Sequence, residues 1–235
     1  DSTNIAKVIS SVVDDNTKLD YIDRIQYEWD KVSIVSSITD EDILSRGLSL
    51  FKEERYKANV LVELKDDRLK VKFLSIIEDD SSKVRIIKSI KEDLVKVEVL
   101  TLINDEKAKV DIINSLKDEH IRLSLVPNLE NNENKFLVIA AISSKELKNN
   151  ALKSIDNYKE VMNTFFEKGN FEYLYHFEKD ILREVFDKKQ IEILEEYTKI
   201  KNENIRKSFS NYVVSNYDSL NMVNLGKISQ ILTRI

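Results

Sequence analysis

The fold of this chain is decided by residues 65–116, which read KDDRLKVKFLSII (65–77), EDDSSKVRIIKSI (78–90), KEDLVKVEVLTLI (91–103) and NDEKAKVDIINSL (104–116). Each of these four blocks has thirteen places, with acids at the second and third, a lysine at the sixth, and apolar residues at the tenth and thirteenth. The same register runs back through residues 1–12 and forward to Ile155. A fixed period of this kind is typical of a repeat array, in which each unit buries its apolar side against its neighbours.

The tenth place is the clearest marker of the repeat. It holds an apolar residue in every block: Ile9, Ile22, Val35, Leu48, Leu61, Leu74, Ile87, Leu100, Ile113, Val126, Ile139, Leu152 and Phe165. Apolar residues at places 7, 9, 10 and 13 follow the spacing of one face of an α-helix. Each block therefore predicts one short helix of about nine or ten residues and a tight turn, and such a helix is stable only when packed.

Paired acids at the second and third places indicate where each helix begins, because carboxylates cap free amides and face the positive end of the helix dipole. We therefore predict an all-α protein. Its architecture is expected to be a right-handed α-solenoid of short antiparallel helices, with one helix to each thirteen-place block and one pair to every two blocks. The array should occupy residues 1–168, and residues 169–235 should form an aromatic-rich helical cap packed on it.

The cap is predicted from the loss of the repeat after Ile155 and from the glycine at position 169. Longer helices are expected over 171–186, from near Asp187, after Asn202 and after Asp218. Twelve of the 19 aromatic residues lie in 156–235. They indicate either the interior of a cap or a surface that binds a partner.

Lysines at the sixth place suggest a ladder along the array. We assign a structural ladder to Lys57, Lys70, Lys83, Lys96, Lys109, Asp66, Asp79 and Arg85. The lysine stems would cover apolar surface while their ammonium groups reach acids at helix starts. The alternative is a basic track for a phosphate backbone, but a net charge of −5 disfavours nucleic acid.

One motif links the array to a known family. Asp79, Val84 and Arg85 resemble the second helix of HEAT-type repeats, and Asp66, Val71 and Lys72 repeat the same pattern one block earlier. The resemblance covers roughly residues 13–155 and implies an array that serves chiefly as a protein-binding scaffold, with an acid–base ladder between adjacent repeats. HEAT units are longer than two of these blocks, and both helices of a pair share one pattern here.

The residues that most enzymes need are scarce. The chain has no cysteine, two histidines and three isolated glycines, which leaves no thiol nucleophile and no glycine-rich phosphate loop. His176 follows Glu172 by four residues, but no second helix supplies matching metal ligands. We therefore expect a protein that is not an enzyme and has no cofactor and no metal.

The leading interpretation is a non-enzymatic scaffold or adaptor that binds another protein. Tyr27 and Trp29 in the array, with Tyr173 and Tyr175 in the cap, are the predicted contact residues. One alternative is a targeting or regulatory domain of a larger enzyme, and a less favoured one is a HEAT-like nucleic-acid-binding protein. The start of the chain within the repeat predicts a fragment of a longer or processed protein, and the Lys-, Asn- and Ile-rich composition leaves open a secreted effector.

Three smaller predictions complete the analysis. With no apolar run of spanning length, we expect a soluble protein of the cytoplasm of its source or host cell. Val8, Ile9 and Val12 should lie in the core. Gly47 should mark a close helix approach or a small cavity, and Pro127 should shorten or kink its helix.

Overall fold

The computed structural model describes residues 2–221, 225–228 and 231, and the regular secondary structure in this part of the chain is entirely helical. It forms two compact units, Asp1–Asp118 and Glu119–Ile235. The predicted all-α class and the repeated contacts between neighbouring helices are confirmed. The predicted division at residue 168 stays a prediction.

Unit 1 contains nine short α-helices among its described residues. They are α1 Ser2–Ser10, α2 Asp15–Tyr21, α3 Glu28–Val35, α4 Glu41–Ser49, α5 Glu54–Glu63, α6 Asp67–Phe73, α7 Asp80–Ser89, α8 Asp93–Glu98 and α9 Glu106–Asn114. Within this unit α1 packs against α3, α3 against α5, α5 against α7 and α7 against α9, while α2 packs against α4. Helices of the same parity are therefore stacked, so the structural repeat is a pair of blocks.

Unit 2 continues the register and then departs from it. Its α-helices within the described ranges are α10 Glu119–Leu125, α11 Asn132–Ala140, α12 Lys145–Leu152, α13 Tyr158–Glu167, α14 Lys179–Val185, α15 Lys188–Lys199 and α16 Glu203–Asn216. Here α11 packs against α12 and α13, and α13, α14 and α15 each contact the next helix.

The core follows the predicted register closely. All thirteen tenth-place residues are buried, none of them more than 8% exposed. From Ile25 to Ile155 every thirteenth-place residue is buried as well. The prediction for Val8 is wrong, because that side chain is 67% exposed, and Val12 is only half-buried.

The two helices of a pair differ in which residue turns inward. Most odd-numbered helices bury their seventh place, as at Val32 and Ala58, whereas most even-numbered helices bury their sixth, as at Lys18, Leu44 and Lys70. The sequence suggested a single pattern because places 10 and 13 are shared by both kinds of helix. The ends differ too: α2, α6, α8 and α10 are each followed by a 3₁₀ turn.

The 3₁₀ turn after α10 contains Pro127. The helix is short at that point, as expected, but the equivalent turns after α2, α6 and α8 form without proline. The shortening therefore does not require proline, and Pro127 is tolerated because it sits in the first turn of a new helical segment.

Most second-place aspartates act as N-caps for their own helices, whereas Glu53 and Glu92 form no side-chain cap. Asp14, Asp40, Asp79 and Asp105 each accept a hydrogen bond from the amide three residues later, at 2.8 to 3.0 Å. Such caps each contribute about 1 kcal/mol to helix stability, which matters for helices of six to ten residues.

The C-terminal part of unit 2 is less regular than predicted. The helix expected over 171–186 is wrong: Gly169, at φ +73°, ends α13, and Phe171–Tyr173 forms a 3₁₀ turn before α14. Glycine adopts this left-handed backbone without a Cβ penalty. The predicted starts near 187 and 202 are confirmed by caps from Asp187 and Asn202. The helix predicted after Asp218 lies largely outside the described residues.

Candidate functional site

The third-place acids connect each helix to the turn two blocks further along the chain. Asp15 accepts hydrogen bonds from the backbone amides of Thr39 and Asp40, both at 2.8 Å. Equivalent bonds over 24 or 25 residues are made by Glu54, Asp67, Asp80, Asp93 and Glu119. A carboxylate thus fixes the start of the next helix of its own parity, and we call this set the acid ladder.

Sixth-place cations of the even helices form a second ladder. Lys18, Lys70 and Lys96 are buried and donate to backbone carbonyls 19 residues further on, at 2.7, 3.0 and 3.3 Å. Arg122 makes the same contact with the Ala141 carbonyl at 3.4 Å. These groups donate hydrogen bonds to the last carbonyls of the following helix. Their positive charges are therefore engaged within the protein rather than presented to a partner.

Burial and local charge set the pKa values along both ladders. Burial lowers the pKa of Lys70 and Lys96, while the charges of Asp67 and Asp93, respectively, act to raise it. Burial would raise the pKa of Asp15, but hydrogen bonds from Lys18 and from the amides of residues 40 and 39 outweigh it and lower the pKa to about 2. This carboxylate therefore remains charged wherever the protein is folded near neutral pH.

The other residues of the predicted structural ladder are placed as follows. Lys57, Lys83 and Lys109 are half-buried, and Lys83 pairs with Asp80 at 3.2 Å. Arg85 donates to Asn59 at 2.8 Å across two blocks. Asp66 and Asp79 bond the starts of their own helices, and hydrogen bonds from Ser81 and Ser82 lower the pKa of Asp79 to about 2.

Tyr27 and Trp29 lie at the start of α3 and are 52% and 56% exposed. The next residue is Asp30, which is 1% exposed and whose two carboxylate oxygens have no hydrogen-bond partner among the described residues. A buried carboxylate in this state is costly. The sequence held a signal for it: the fifth place is uncharged in the other odd blocks before residue 156, as at Tyr56 and Ser82.

Tyr173 and Tyr175 contribute less surface to unit 2 than expected. Tyr173 is half-buried and packs edge-on against Phe165, with ring centres 5.7 Å apart. Tyr175 is also half-buried and lies 5.6 Å from the ring of Tyr197. It lines a cleft of about 600 Å³ whose apolar wall includes Phe177.

This cleft has an apolar floor and a charged rim. Its wall is completed by Leu182, Ile191 and Leu194 from α14 and α15. The rim carries Lys179, paired with Glu195 at 3.1 Å. Apolar clefts edged by charges are common sites for peptide or protein side chains. The sequence did not reveal the cleft, because it depends on how α14 and α15 are joined.

Candidate metal ligands do not cluster in the described part of the chain. No three His, Asp or Glu residues come together there as a metal site. No helix among the described residues is sufficiently long and apolar to cross a bilayer. Comparison with models of known protein families, with curated proteins and with solved structures finds no match to this chain.

Proposed function

We propose that this protein is a non-enzymatic scaffold or adaptor that binds another protein through its exposed aromatic residues. The observation that carries the proposal is the pair Tyr27 and Trp29, both more than half exposed at the start of α3. Large aromatic side chains are enriched in protein interfaces, and tryptophan and tyrosine are frequent among the residues that dominate binding energy.

The architecture supports the same function. Helical repeat arrays present extended surfaces whose residues are free to vary once the core places are fixed. Within each unit we propose that successive helices run antiparallel and that the pairs are related by a right-handed rotation. The stacking of helices of the same parity in unit 1 supports the antiparallel arrangement. The cleft beside Tyr175 is proposed as a second contact area in unit 2.

The proposal is tested by replacing the exposed aromatics and following a defined partner. Proteins captured from source-cell lysate by the wild type would be compared with those captured by Tyr27→Ser/Trp29→Ser and by the control Tyr212→Ser, which is 41% exposed on α16. A specific partner should be lost with the double variant and retained with the control. Because Trp29 is the only tryptophan, binding of the purified partner should also change the intrinsic fluorescence.

Two results would refute this assignment. Retention of every captured protein by the double variant would exclude Tyr27 and Trp29 as the contact. Salt-sensitive retention on heparin would instead favour the nucleic-acid alternative, against which the internal use of Lys18, Lys70 and Lys96 counts. A regulatory domain of a larger enzyme would use the same surfaces, and gene context on either side would distinguish it from a free-standing adaptor.

A further inference from the structure

A second cleft in unit 2, of about 650 Å³, lies between the end of α13, the end of α15 and the start of α16. Its walls come from the turn at 168–170, from Tyr197 and from side chains within 201–211. We call it the polar cleft, because charged and amide side chains make up most of its lining. Burying charges against an apolar surface is costly, so this lining does not suit a further helix of the array.

The turn at 168–170 is held close against α16 and forms one wall of the polar cleft. A Cβ at Gly169 would lie 3.0 Å from a methyl group of Val214 and 3.5 Å from the Cβ of Ser210, and the backbone there is left-handed. The amides of Gly169 and Asn170 both donate to carbonyls of α13 at 2.9 Å. The wall is therefore fixed by backbone hydrogen bonds and close packing.

Two buried hydroxyl groups belong to the lining. Tyr197 is 4% exposed and Ser210 is 7% exposed. Neither hydroxyl makes a hydrogen bond to another described residue. Burial and the nearby carboxylate of Glu172 raise the pKa of Tyr197 to about 12, so this hydroxyl is a donor at neutral pH. Polar groups buried to this extent are nearly always hydrogen-bonded in proteins, and the pair therefore indicates a hydrogen-bonding occupant of the polar cleft.

The cations of the lining are available to an anion. Arg206 is held in place, because its Nε donates to a backbone carbonyl at 2.6 Å and its guanidinium lies 5.3 Å from the ring centre of Tyr197. Lys201 and Lys207 line the same cleft. None of these three cations forms an ion pair with a described residue, whereas Lys168 is paired with an acid of α11. An unpaired arginine flanked by lysines is well suited to bind a phosphate group.

Acids and amides in the same lining call for a second kind of group on the ligand. Glu172 and Glu203 line the polar cleft and form no ion pair with a described residue. Asn170, Asn204 and Asn211 add three side-chain amides. Carboxylates can only accept hydrogen bonds at neutral pH, and amides both donate and accept. A bare anion would be repelled by the two carboxylates, but a ligand with several hydroxyl groups would donate to them.

We propose that the polar cleft binds a phosphorylated sugar. The phosphate is held by Lys201, Arg206 and Lys207, and the sugar hydroxyls donate to the carboxylates and bond the asparagine amides. The volume of the cleft suits a ligand of this size, since small-molecule sites usually enclose about 300 to 1,000 Å³. The polar cleft does not include Tyr27 or Trp29, so this proposal and the proposed function fail or succeed independently.

Nuclear magnetic resonance of the isotope-labelled full chain tests the proposal directly. Ribose 5-phosphate and glucose 6-phosphate are the probes, and the side-chain amide signals of Asn170, Asn204 and Asn211 are the readout. At least one sugar phosphate should shift these signals saturably. Inorganic phosphate and the unphosphorylated sugars should each bind at least about tenfold more weakly, because each makes only part of the charged and neutral hydrogen bonds.

Two variants with matched controls locate the binding. Lys207→Met and Tyr197→Phe should each weaken binding of the sugar phosphate about fivefold to tenfold, because each removes one hydrogen-bonding group and keeps the rest of the side chain. The controls are Lys188→Met, at a lysine whose side chain is 92% exposed on α15, and Tyr212→Phe, at a tyrosine 41% exposed on α16. Both controls should bind as the wild type does.

Glu172→Gln separates contact with the sugar from the overall charge of the cleft. This variant should weaken binding of the sugar phosphate, because a carboxylate acceptor is lost, and should strengthen binding of inorganic phosphate, because a repelling charge is lost. A change in the same direction for both ligands would contradict the role given to the acid.

Two further results overturn the proposal. One is the absence of any saturable shift of the three asparagine amides with either sugar phosphate at about 10 mM. The other is binding of inorganic phosphate as tight as that of both sugar phosphates, because the cleft would then recognise only an anion.

Discussion

Replacing Asp15 by asparagine tests the acid ladder most directly. The side chain is 8% exposed, pairs with the buried Lys18 at 2.8 Å, and accepts from the amides of Thr39 and Asp40. Asparagine keeps the size and one acceptor oxygen but removes the charge. The variant therefore leaves a buried ammonium group without its counter-charge, a change that destabilises proteins by up to about 3 to 5 kcal/mol.

The magnitude can be worked from the pKa of this carboxyl group. Folding lowers the pKa of Asp15 from 3.8 to about 2, and each unit corresponds to about 1.4 kcal/mol, so the ionised form contributes about 2 to 3 kcal/mol at pH 7. Because the folded-state pKa is the lower one, this contribution is complete above about pH 5 and is lost as the pH falls through 2. It should be roughly halved at pH 3 and mostly lost at pH 2.

The assay is urea unfolding followed by the fluorescence of Trp29, which reports on unit 1, at pH 7, 5, 4 and 3. Asp15→Asn should lower the free energy of unfolding by about 2 to 4 kcal/mol at pH 7, and its difference from the wild type should shrink toward pH 3. Asp14→Asn is the control, because asparagine caps helices about as well as aspartate. An equal loss in both variants, or a difference that does not change with pH, would refute the role given to the ladder.

Three further perturbations can be measured in the same way. Ile87→Ala removes a fully buried side chain and should cost about 2 to 5 kcal/mol, whereas the exposed Leu94→Ala should cost less than about 0.5 kcal/mol; similar losses would contradict the assigned core. Lys70→Met keeps the apolar stem but loses the hydrogen bonds to the next helix, and it should lower the free energy of unfolding by about 1 to 3 kcal/mol. The control Lys72→Met, at an exposed lysine, should change the free energy of unfolding by close to zero. Gly47→Leu should cost about 1 to 3 kcal/mol, because a Cβ at this position already lies 3.0 Å from a side chain of α3, and an unchanged unfolding midpoint would show that α4 can move away.

The sequence was sufficient to predict the core, because the buried apolar residues recur at the same places of each thirteen-residue block. Every tenth-place residue from Ile9 to Phe165 is buried as predicted. The helix starts were also predictable from the sequence, since a cap needs only one side chain and the amides next to it, as at Asp79. Local and periodic signals of this kind can be recognised in a single sequence.

The difference between odd and even helices could not be predicted in the same way. Both kinds place apolar residues at places 7 and 10, and only the stacked neighbours decide whether Lys70 or Val71 turns inward. The same holds for the break after Gly169. Phe171, Leu174 and Phe177 have a spacing that suits either an α-helix or a 3₁₀ turn, and the chain forms a 3₁₀ turn at Phe171–Tyr173 and begins α14 only at Lys179.

The candidate contact residues were only partly accessible to sequence reasoning. Tyr27 and Trp29 were predicted as contact residues, and both are more than half exposed. Tyr173 and Tyr175 lie in an irregular segment, where no period indicates which way a side chain points. The buried, unpartnered Asp30 was overlooked, although its charge at an otherwise neutral place distinguished it.

The reach of the acid ladder across 24 or 25 residues also constrains how such a chain can change its length. Excising a single block would join two helices of like parity, and carboxylates such as Asp67 would meet turns of the wrong kind. After two consecutive blocks are excised or duplicated, each carboxylate of the acid ladder again meets the backbone amides at the start of a helix of its own parity. Growth and loss in this architecture should therefore proceed by helix pairs, and an insertion of any other size should be confined to the loops.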